Sequence, residues 1–242
     1  MISKNEIKFI QSLSNKKQRA EAKLFVVEGV KLLQELIQSS YQIKKIYATP
    51  EWNAQILGNK DLLTVISEQE LERISSLQTP NQVLALVHEK EMNEPINFAK
   101  TITLMLDDIQ DPGNLGTIIR NADWFGIHQI VCSPNTVSIY NNKVLQSTMG
   151  SFTRVNVYYQ DLIETVKNAH VPIIGAILAG ENIYHFQKPT EGILVIGNEG
   201  KGIHEELLTY IKHPVTIPKI GAAESLNAAV ATGIILSHIV GK

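Results

Sequence analysis

The sequence predicts an α/β protein in two parts: a small mixed unit, then a mostly parallel sheet with helices on both faces. Three observations carry this. From Thr101 onward, short apolar runs alternate with helix-like segments, the texture of strands buried on both faces. Before them, Glu89–Phe98 is polar apart from Met92 and Ile96 and contains Pro95, which marks a linker. The chain has 242 residues, 44% hydrophobic and 19% charged, enough to bury a real core in one large or two small domains. The expected division is a domain over 1–92, a linker over 93–99 and a domain over 100–242.

In the first part, Asn5–Leu13 has helical spacing and Ser14–Lys23 reads as a polar, basic connection. Leu24–Val27 is a short apolar strand, and Val30–Gln38 is a helix with Leu32, Leu33, Leu36 and Ile37 on one side. Ile43–Ala48, Leu62–Ile66 and Val83–His88 read as strands. Ser67 followed by Glu70 is a capping box that opens a helix through Leu77. In the second part, strands are expected at Ile102–Leu106, Gln129–Cys132, Arg154–Tyr158, Pro172–Leu178, Gly192–Ile196 and Val215–Ile217. Helices fall between them at Leu115–Phe125, Asn142–Met149, Asp161–Ala169, Ile203–Ile211 and Leu226–Val240.

Composition narrows the function classes. The single cysteine, Cys132, excludes internal disulfides and a cysteine-rich zinc site, and at a strand end it reads as buried and inert. The seven histidines are scattered without metal-ligand spacing, so no metal is expected. The longest apolar stretch, Ala228–Val240, is interrupted by Thr232, Ser237 and His238 and is too short to cross a bilayer. The opening MISKNEIKFI lacks a signal peptide's apolar segment. A cytoplasmic protein without a membrane partner is expected. Net charge is only −2, yet residues 1–45 hold nine Lys or Arg against four acids. That asymmetry suggests a basic surface for a polyanion, while a solvated lysine-rich face would look the same.

Ligands of parallel sheets bind outside the carboxyl ends of the strands, so the loops there hold the information. The first, Asp107–Gly116, turns at Pro112-Gly113 and enters a helix carrying Arg120. A helix start offers free N–H groups to an anion, and Asn114 could equally be a plain N-cap. The second, Gly197-Asn198-Glu199-Gly200-Lys201-Gly202, holds three glycines in six residues, a backbone open to close approach. Glu199 within it is a solvated turn residue or a functional carboxylate. The third, Ile217–Ala229, enters a helix rich in small residues, with Ser225 a plausible N-cap. Asn227, just beyond, is an amide that needs a partner. No P-loop, G-x-G-x-x-G, H-E-x-x-H or G-x-S-x-G occurs. Trp124 reads as helix packing rather than a base-stacking platform.

Together, DPGNLGTIIRNADWFG, LVIGNEGKGI and IPKIGAAESLNAAVATGI resemble, in order, the three motifs of the SpoU (TrmH-type) branch of the SPOUT superfamily, RNA ribose 2′-O-methyltransferases. The resemblance runs from Thr101 to the C-terminus. More softly, KKQRAEAKLFVVEGVKLL resembles the family's accessory substrate-binding domain, of ribosomal-protein-like fold. The resemblance implies a trefoil knot, which general topology rules would not suggest. It also implies a homodimer and S-adenosylmethionine as cofactor. Cofactor contacts fall on Ile196, Gly197, Ile217 and Leu226, with the loop beginning Ala179-Gly180 adding more. Catalytic or substrate positions fall on Asn114, Arg120, Glu199, Ser225 and Asn227, each holding the expected residue type.

The implied reaction is in-line attack by a ribose 2′-hydroxyl on the sulfonium methyl. A guanidinium stays protonated, so Arg120 is read as binding the adjacent phosphate and stabilising developing alkoxide charge rather than as a base. Asn114 would position the ribose or Arg120, Glu199 would orient Arg120 or its loop, and Ser225 and Asn227 would tie the third loop to the site. The hydroxyl requirement makes RNA rather than DNA the partner. The resemblance to the accessory domain tilts the expectation toward ribosomal RNA, with transfer RNA the alternative. Lys16, Lys17, Arg19 and Lys23 are the candidates for guiding its backbone. Two other readings exist: a non-catalytic RNA-binding protein retaining the fold, and a nucleotide-binding α/β enzyme, which the missing phosphate loop disfavours.

Overall fold

The computed structural model describes residues 2–52, 60–92 and 94–241. Of the expected domain and linker spans, Met1, 53–59, Asn93 and Lys242 lie outside the described residues. In chain order the helices are α1 (Lys4–Ser12), α2 (Lys16–Ala22), α3 (Val30–Ile37), α4 (Glu68–Ile74), α5 (Pro112–Trp124), α6 (Asn142–Thr148), α7 (Leu162–Ala169), α8 (Glu205–Leu208) and α9 (Ala228–Ile239). The strands are β1 (Leu24–Glu28), β2 (Ile43–Ala48), β3 (Leu63–Val65), β4 (Val83–His88), β5 (Ile102–Leu106), β6 (Gln129–Cys132), β7 (Asn156–Tyr159), β8 (Ile173–Asn182), β9 (Gly192–Ile196) and β10 (His213–Thr216). The chain forms two compact units, Met1–Glu91 with Tyr140–Thr153, and Met92–Ile139 with Arg154–Lys242.

The first unit is built on a mixed sheet in the order β1-β4-β2-β3, with β4 antiparallel to both neighbours and β2 parallel to β3. Every residue of β1 is buried, and α1 and α4 close its core through Ile10, Leu71 and Ile74. The expected capping box is present, with Ser67 and Glu70 satisfying each other's backbone N–H. The segment Ser14–Lys23 is not a connection but contains α2. Asn15 caps it by accepting from Lys17 N, and Lys23 ends it in the left-handed region at φ 53°. Its KKQRAEA sequence has no apolar period, so the helix left no signal for pattern reading.

The helix expected over 142–149 within the second part packs instead with the first unit. Phe152 lies edge-on to Phe25 at 6.3 Å, and the Gln146 side chain donates to the Glu28 carbonyl at 2.9 Å.

The second unit is a six-stranded, wholly parallel sheet in the order β10-β8-β9-β5-β6-β7. Its central strands β5 and β9 are fully buried, as their apolar sequences require, broken only by Thr103, whose hydroxyl accepts from Gln129 Nε2 at 2.6 Å. Chain progression runs outward from β5 through β6 to β7, then resumes with β8 and β9 on the other side of β5. The topological switch therefore lies between β5 and β9, where the first two motif loops emerge. Boundaries differ from expectation where local turns intervene. A 3₁₀ turn over Ser151–Thr153 delays β7 to Asn156, and only Glu205–Leu208 of the expected 203–211 helix is helical. Between β8 and β10 the register jumps, from Pro214 opposite Gly175 to Val215 opposite Glu181. Cys132 is fully buried, and burial pushes its thiol well above the ordinary range, so it is inert as expected.

Candidate active site

The three motif loops leave the carboxyl ends of β5, β9 and β10, which share one edge because the sheet is parallel. In the first loop, Asp111 is the N-cap of α5: its Oδ1 accepts from Asn114 N at 2.8 Å, and Pro112 takes the first turn. Asn114 is thus not the cap, and its side chain is free for other work. In the second loop, Asn198 and Gly202 exchange both backbone hydrogen bonds at 2.9 Å. A Cβ on Gly197 would lie 2.3 Å from Gly202 C, so only glycine lets this loop close. Asn198 Oδ1 accepts from Gly200 N and Lys201 N, and Asn198 Nδ2 donates to the Asp108 carbonyl at 2.7 Å.

The third loop ends in α9, and here Ser225 is not the cap. Asn227 is: its Oδ1 accepts from Ala229 N at 2.9 Å and from Val230 N at 3.2 Å. With its oxygen so engaged, its amide donates to Asn114 Oδ1 at 2.7 Å, and Asn114 Nδ2 donates to Glu199 Oε1 at 2.8 Å. One hydrogen-bonded chain, Asn227 to Asn114 to Glu199, thereby ties together all three loops. Glu199, although exposed, is not merely a solvated turn residue.

The remaining expected residues are placed around this chain. Arg120 stands exposed on α5 and makes no hydrogen bond or ion pair with any described residue. The next residue, Asn121, donates to the Ala229 carbonyl at 2.9 Å in the first turn of α9. Ser225 is exposed and likewise unbonded among the described residues. Ile217 follows β10 and is half-buried, while Leu226 is exposed. Ala179 and Gly180 do not begin a loop but lie within β8, which runs on to Asn182; Ala179 is exposed, and Gly180 meets the backbone of β10, where a Cβ would lie 2.6 Å from Val215 N. Ile196 lies beneath the second loop rather than in it, 3% exposed, with its carbonyl accepting from Asp107 N.

Two expectations are corrected. Trp124 is 85% exposed, one turn beyond Arg120, so it is not helix packing within this unit. In the first unit, Arg19 is 4% exposed and donates through Nη1 to the Leu13 and Ser14 carbonyls at 2.9 and 2.8 Å. It staples the turn before α2 and is not on the surface. Lys16, Lys17 and Lys23 are exposed, with Lys17 4.0 Å from Glu21 and Lys23 3.5 Å from Glu91.

Sequence reasoning passed over Asn121, Asn198, Asp107 and His204. Asn121 had a usable signal: it lies seven residues after Asn114, two helical turns on, and so shares its face. Gly233 on α9 accommodates it, where a Cβ would lie 3.3 Å from Asn121 Nδ2. The small residues of α9 therefore serve its close packing on α5.

Chemically, the loop cluster offers an open edge with one carboxylate and two amides, and Arg120 stands exposed on α5, the helix that carries Asn114. For a sulfonium nucleoside the donor set fits. Leu178 and Leu226 are 77% and 48% exposed near the ends of β8 and before α9, apolar surface suited to a purine face. No group of His, Cys, Asp and Glu that could hold a metal occurs among the described residues. No helix among the described residues is long and apolar enough to cross a membrane.

Known proteins resemble this chain over nearly its whole length. A family model described as the SpoU rRNA Methylase family matches residues 101–237, and one described as an MRM3-like substrate binding domain matches residues 4–85. The chain is 32% identical over 249 residues to RlmP of Bacillus subtilis, named a 23S rRNA (guanosine(2553)-2′-O)-methyltransferase, covering 99% of this chain and 98% of that one. It is 26% identical over 247 residues to the 23S rRNA (uridine(2479)-2′-O)-methyltransferase of Streptomyces viridochromogenes, covering 94% and 86%. Among solved structures, the AdoMet-bound rRNA methyltransferase from Sinorhizobium meliloti superposes with a TM-score of 0.89 at 28% identity, covering 99% and 96%.

Proposed function

The chain belongs to the SpoU rRNA Methylase family, and from that premise we propose how its own residues methylate a ribose of ribosomal RNA. It is an RNA ribose 2′-O-methyltransferase that uses S-adenosylmethionine. Ile217, Leu226, Gly197 and the Ala179-Gly180 segment hold the cofactor, largely through backbone groups, with Ile196 supporting from below. When bound, the cofactor supplies a methyl on a sulfonium, already a good leaving group, so the protein's task is to align and activate the hydroxyl.

Arg120 is the unengaged cation at the site. Its guanidinium binds the phosphate beside the target ribose in bidentate fashion and stabilises negative charge developing on the 2′-oxygen. The proton leaves to phosphate or water, because a guanidinium cannot accept it. Asn114 positions the ribose, held in place by Glu199 on one side and Asn227 on the other. Ser225 is available to substrate at the end of the third loop. The observation that carries this assignment is the Asn227–Asn114–Glu199 chain, which joins three loops distant in sequence at one strand edge.

The unit containing residues 4–85 serves as the RNA-binding domain, with Lys16, Lys17 and Lys23 guiding the backbone. Ribosomal RNA is favoured by the named substrates of the similar enzymes. A homodimer is part of the reading: Trp124, 85% exposed, and Val230, 51% exposed, lie on α5 and α9, which pack on each other beside Arg120. Such apolar surface is suited to burial by a second copy. The trefoil knot follows from the family, with the segment from β10 through α9 threaded, and the cell compartment is the cytoplasm. Tritium transfer from labelled S-adenosylmethionine to bulk RNA tests the reaction, and blocking ribose 2′ positions must abolish it. Mapping 2′-O-methyl sites in total RNA from cells with and without the protein identifies the nucleotide.

A further inference from the structure

Asp107, the last residue before the β5 loop turns, is 3% exposed, yet it is charged and lies among apolar strand ends. A carboxylate so placed must be satisfied by hydrogen bonds. Both its oxygens go to one residue 97 positions away: Oδ2 accepts from His204 N at 2.8 Å, and Oδ1 pairs with His204 Nδ1 at 2.8 Å. The neighbouring Asp108 carbonyl takes Asn198 Nδ2 at the other end of the same loop. Asp108 itself sits at φ 60°, a conformation costly for a non-glycine residue, and Ser133 Oγ accepts its N–H at 2.9 Å. The 197–204 loop is therefore clamped near both ends to two consecutive residues of the first loop, and Glu199 lies between the clamps.

We infer that Asp107 is a positioning residue: through His204 it holds the glycine loop so that Glu199 stays in hydrogen-bond contact with Asn114. The kinetic part of this inference rests on the methyltransferase reading; the clamp itself does not. Removing Asp107 lets the loop lift from β5, and a displacement on the order of 1 Å at a positioned catalytic group costs about 10²-fold in rate.

Three readouts test it in the full-length protein. In Asp107→Ala, hydrogen exchange at the Gly200, Lys201 and His204 amides quickens, and kcat falls by about 10²-fold while the KM for RNA is little changed. In a Glu199→Ala background the same substitution causes little further loss of kcat, because Asp107 acts through Glu199. Asp107→Asn restores both protection and rate, because its side-chain oxygen still accepts from His204 N. Unchanged exchange in Asp107→Ala, an undiminished kcat, or a full additional loss in the Glu199→Ala background would each overturn the inference. Absence of methyl transfer by the unmodified protein instead removes the functional reading, and exchange alone then decides whether the clamp exists.

Discussion

Asn227 donates its side-chain amide to Asn114 across 113 residues of sequence at 2.7 Å, while its oxygen caps α9. This fixes the polarity of the whole chain. Because the Asn227 oxygen accepts from two backbone N–H groups, its nitrogen must face Asn114 Oδ1, which leaves the Asn114 amide to donate to Glu199. Neither amide can be reversed without placing donor against donor or acceptor against acceptor. The helix cap and the site geometry are therefore one device.

That coupling can be split by mutation. Asn227→Asp keeps an oxygen to cap α9 but sets a carboxylate against Asn114, which must then turn its oxygen toward either Asp or Glu199. Asn227→Ala loses the cap as well, at about 1 kcal/mol, or about 2–4 °C in Tm for a chain of this size. The Asp variant is expected to melt with the unmodified protein and still to lose methyl transfer as fully as the Ala variant. Thermal unfolding beside the tritium assay checks this, and an active Asp variant contradicts it.

The second loop separates two glycines of similar appearance. At Gly197 a Cβ would lie within 2.5 Å of Gly202 and Ile203 backbone, whereas at Gly200 only Asn198 Oδ1 approaches, at 3.7 Å. Gly197→Ala is expected to open the loop and sharply reduce S-adenosylmethionine affinity; Gly200→Ala leaves it nearly unchanged. Calorimetric titration of the two variants reads the contrast, and equal affinities would contradict it.

The sheet was readable because β5 and β9 are short apolar runs, interrupted only by Thr103, as strands covered on both faces tend to be. What escaped depended on partners far along the chain. Arg19 looked like a surface cation beside Lys16 and Lys17, and only the folded turn at Leu13–Ser14 shows its guanidinium buried. Trp124 lies four residues after Arg120 and seven after Thr117, both exposed, so helical spacing puts it on the bare face; its aromatic type, not its position, suggested packing. Ser225 and Asn227 both suit an N-cap, and pairing with Asn114 selects the second. Asp107 and His204 carried no local signal at all.

The basic face of the first unit yields a prediction that distinguishes charge from structure. Replacing Lys16, Lys17 and Lys23 with Ala should weaken RNA binding and flatten its salt dependence by about 0.7 log units per lost single-strand phosphate contact, with the Tm unchanged. Arg19→Ala should do the reverse. It removes two hydrogen bonds from a charged donor, each worth about 1.5–3 kcal/mol, and lowers the Tm without changing the salt slope once folded protein is compared. Filter binding across a salt series, paired with thermal melts, checks both; a flattened slope in Arg19→Ala would return that residue to the RNA surface.

Arg120 provides the sharpest test of the chemistry, because it alone among the five proposed catalytic residues is a cation, and it is exposed with no partner among the described residues. If its work is to clamp a phosphate and stabilise the 2′-oxygen, Arg120→Ala abolishes methyl transfer and leaves cofactor affinity nearly unchanged. Arg120→Lys then fails to rescue, since a lysine is a point charge without the planar fork that engages two oxygens. Were the residue instead a proton acceptor, raising the pH should restore a lysine variant as its amine deprotonates, at an ordinary pKa of about 10.4. A flat, inactive pH profile for Arg120→Lys is the expected result. Recovery at high pH would transfer the role from electrostatic stabilisation to general base, and loss of S-adenosylmethionine binding in Arg120→Ala would place the residue in the cofactor pocket.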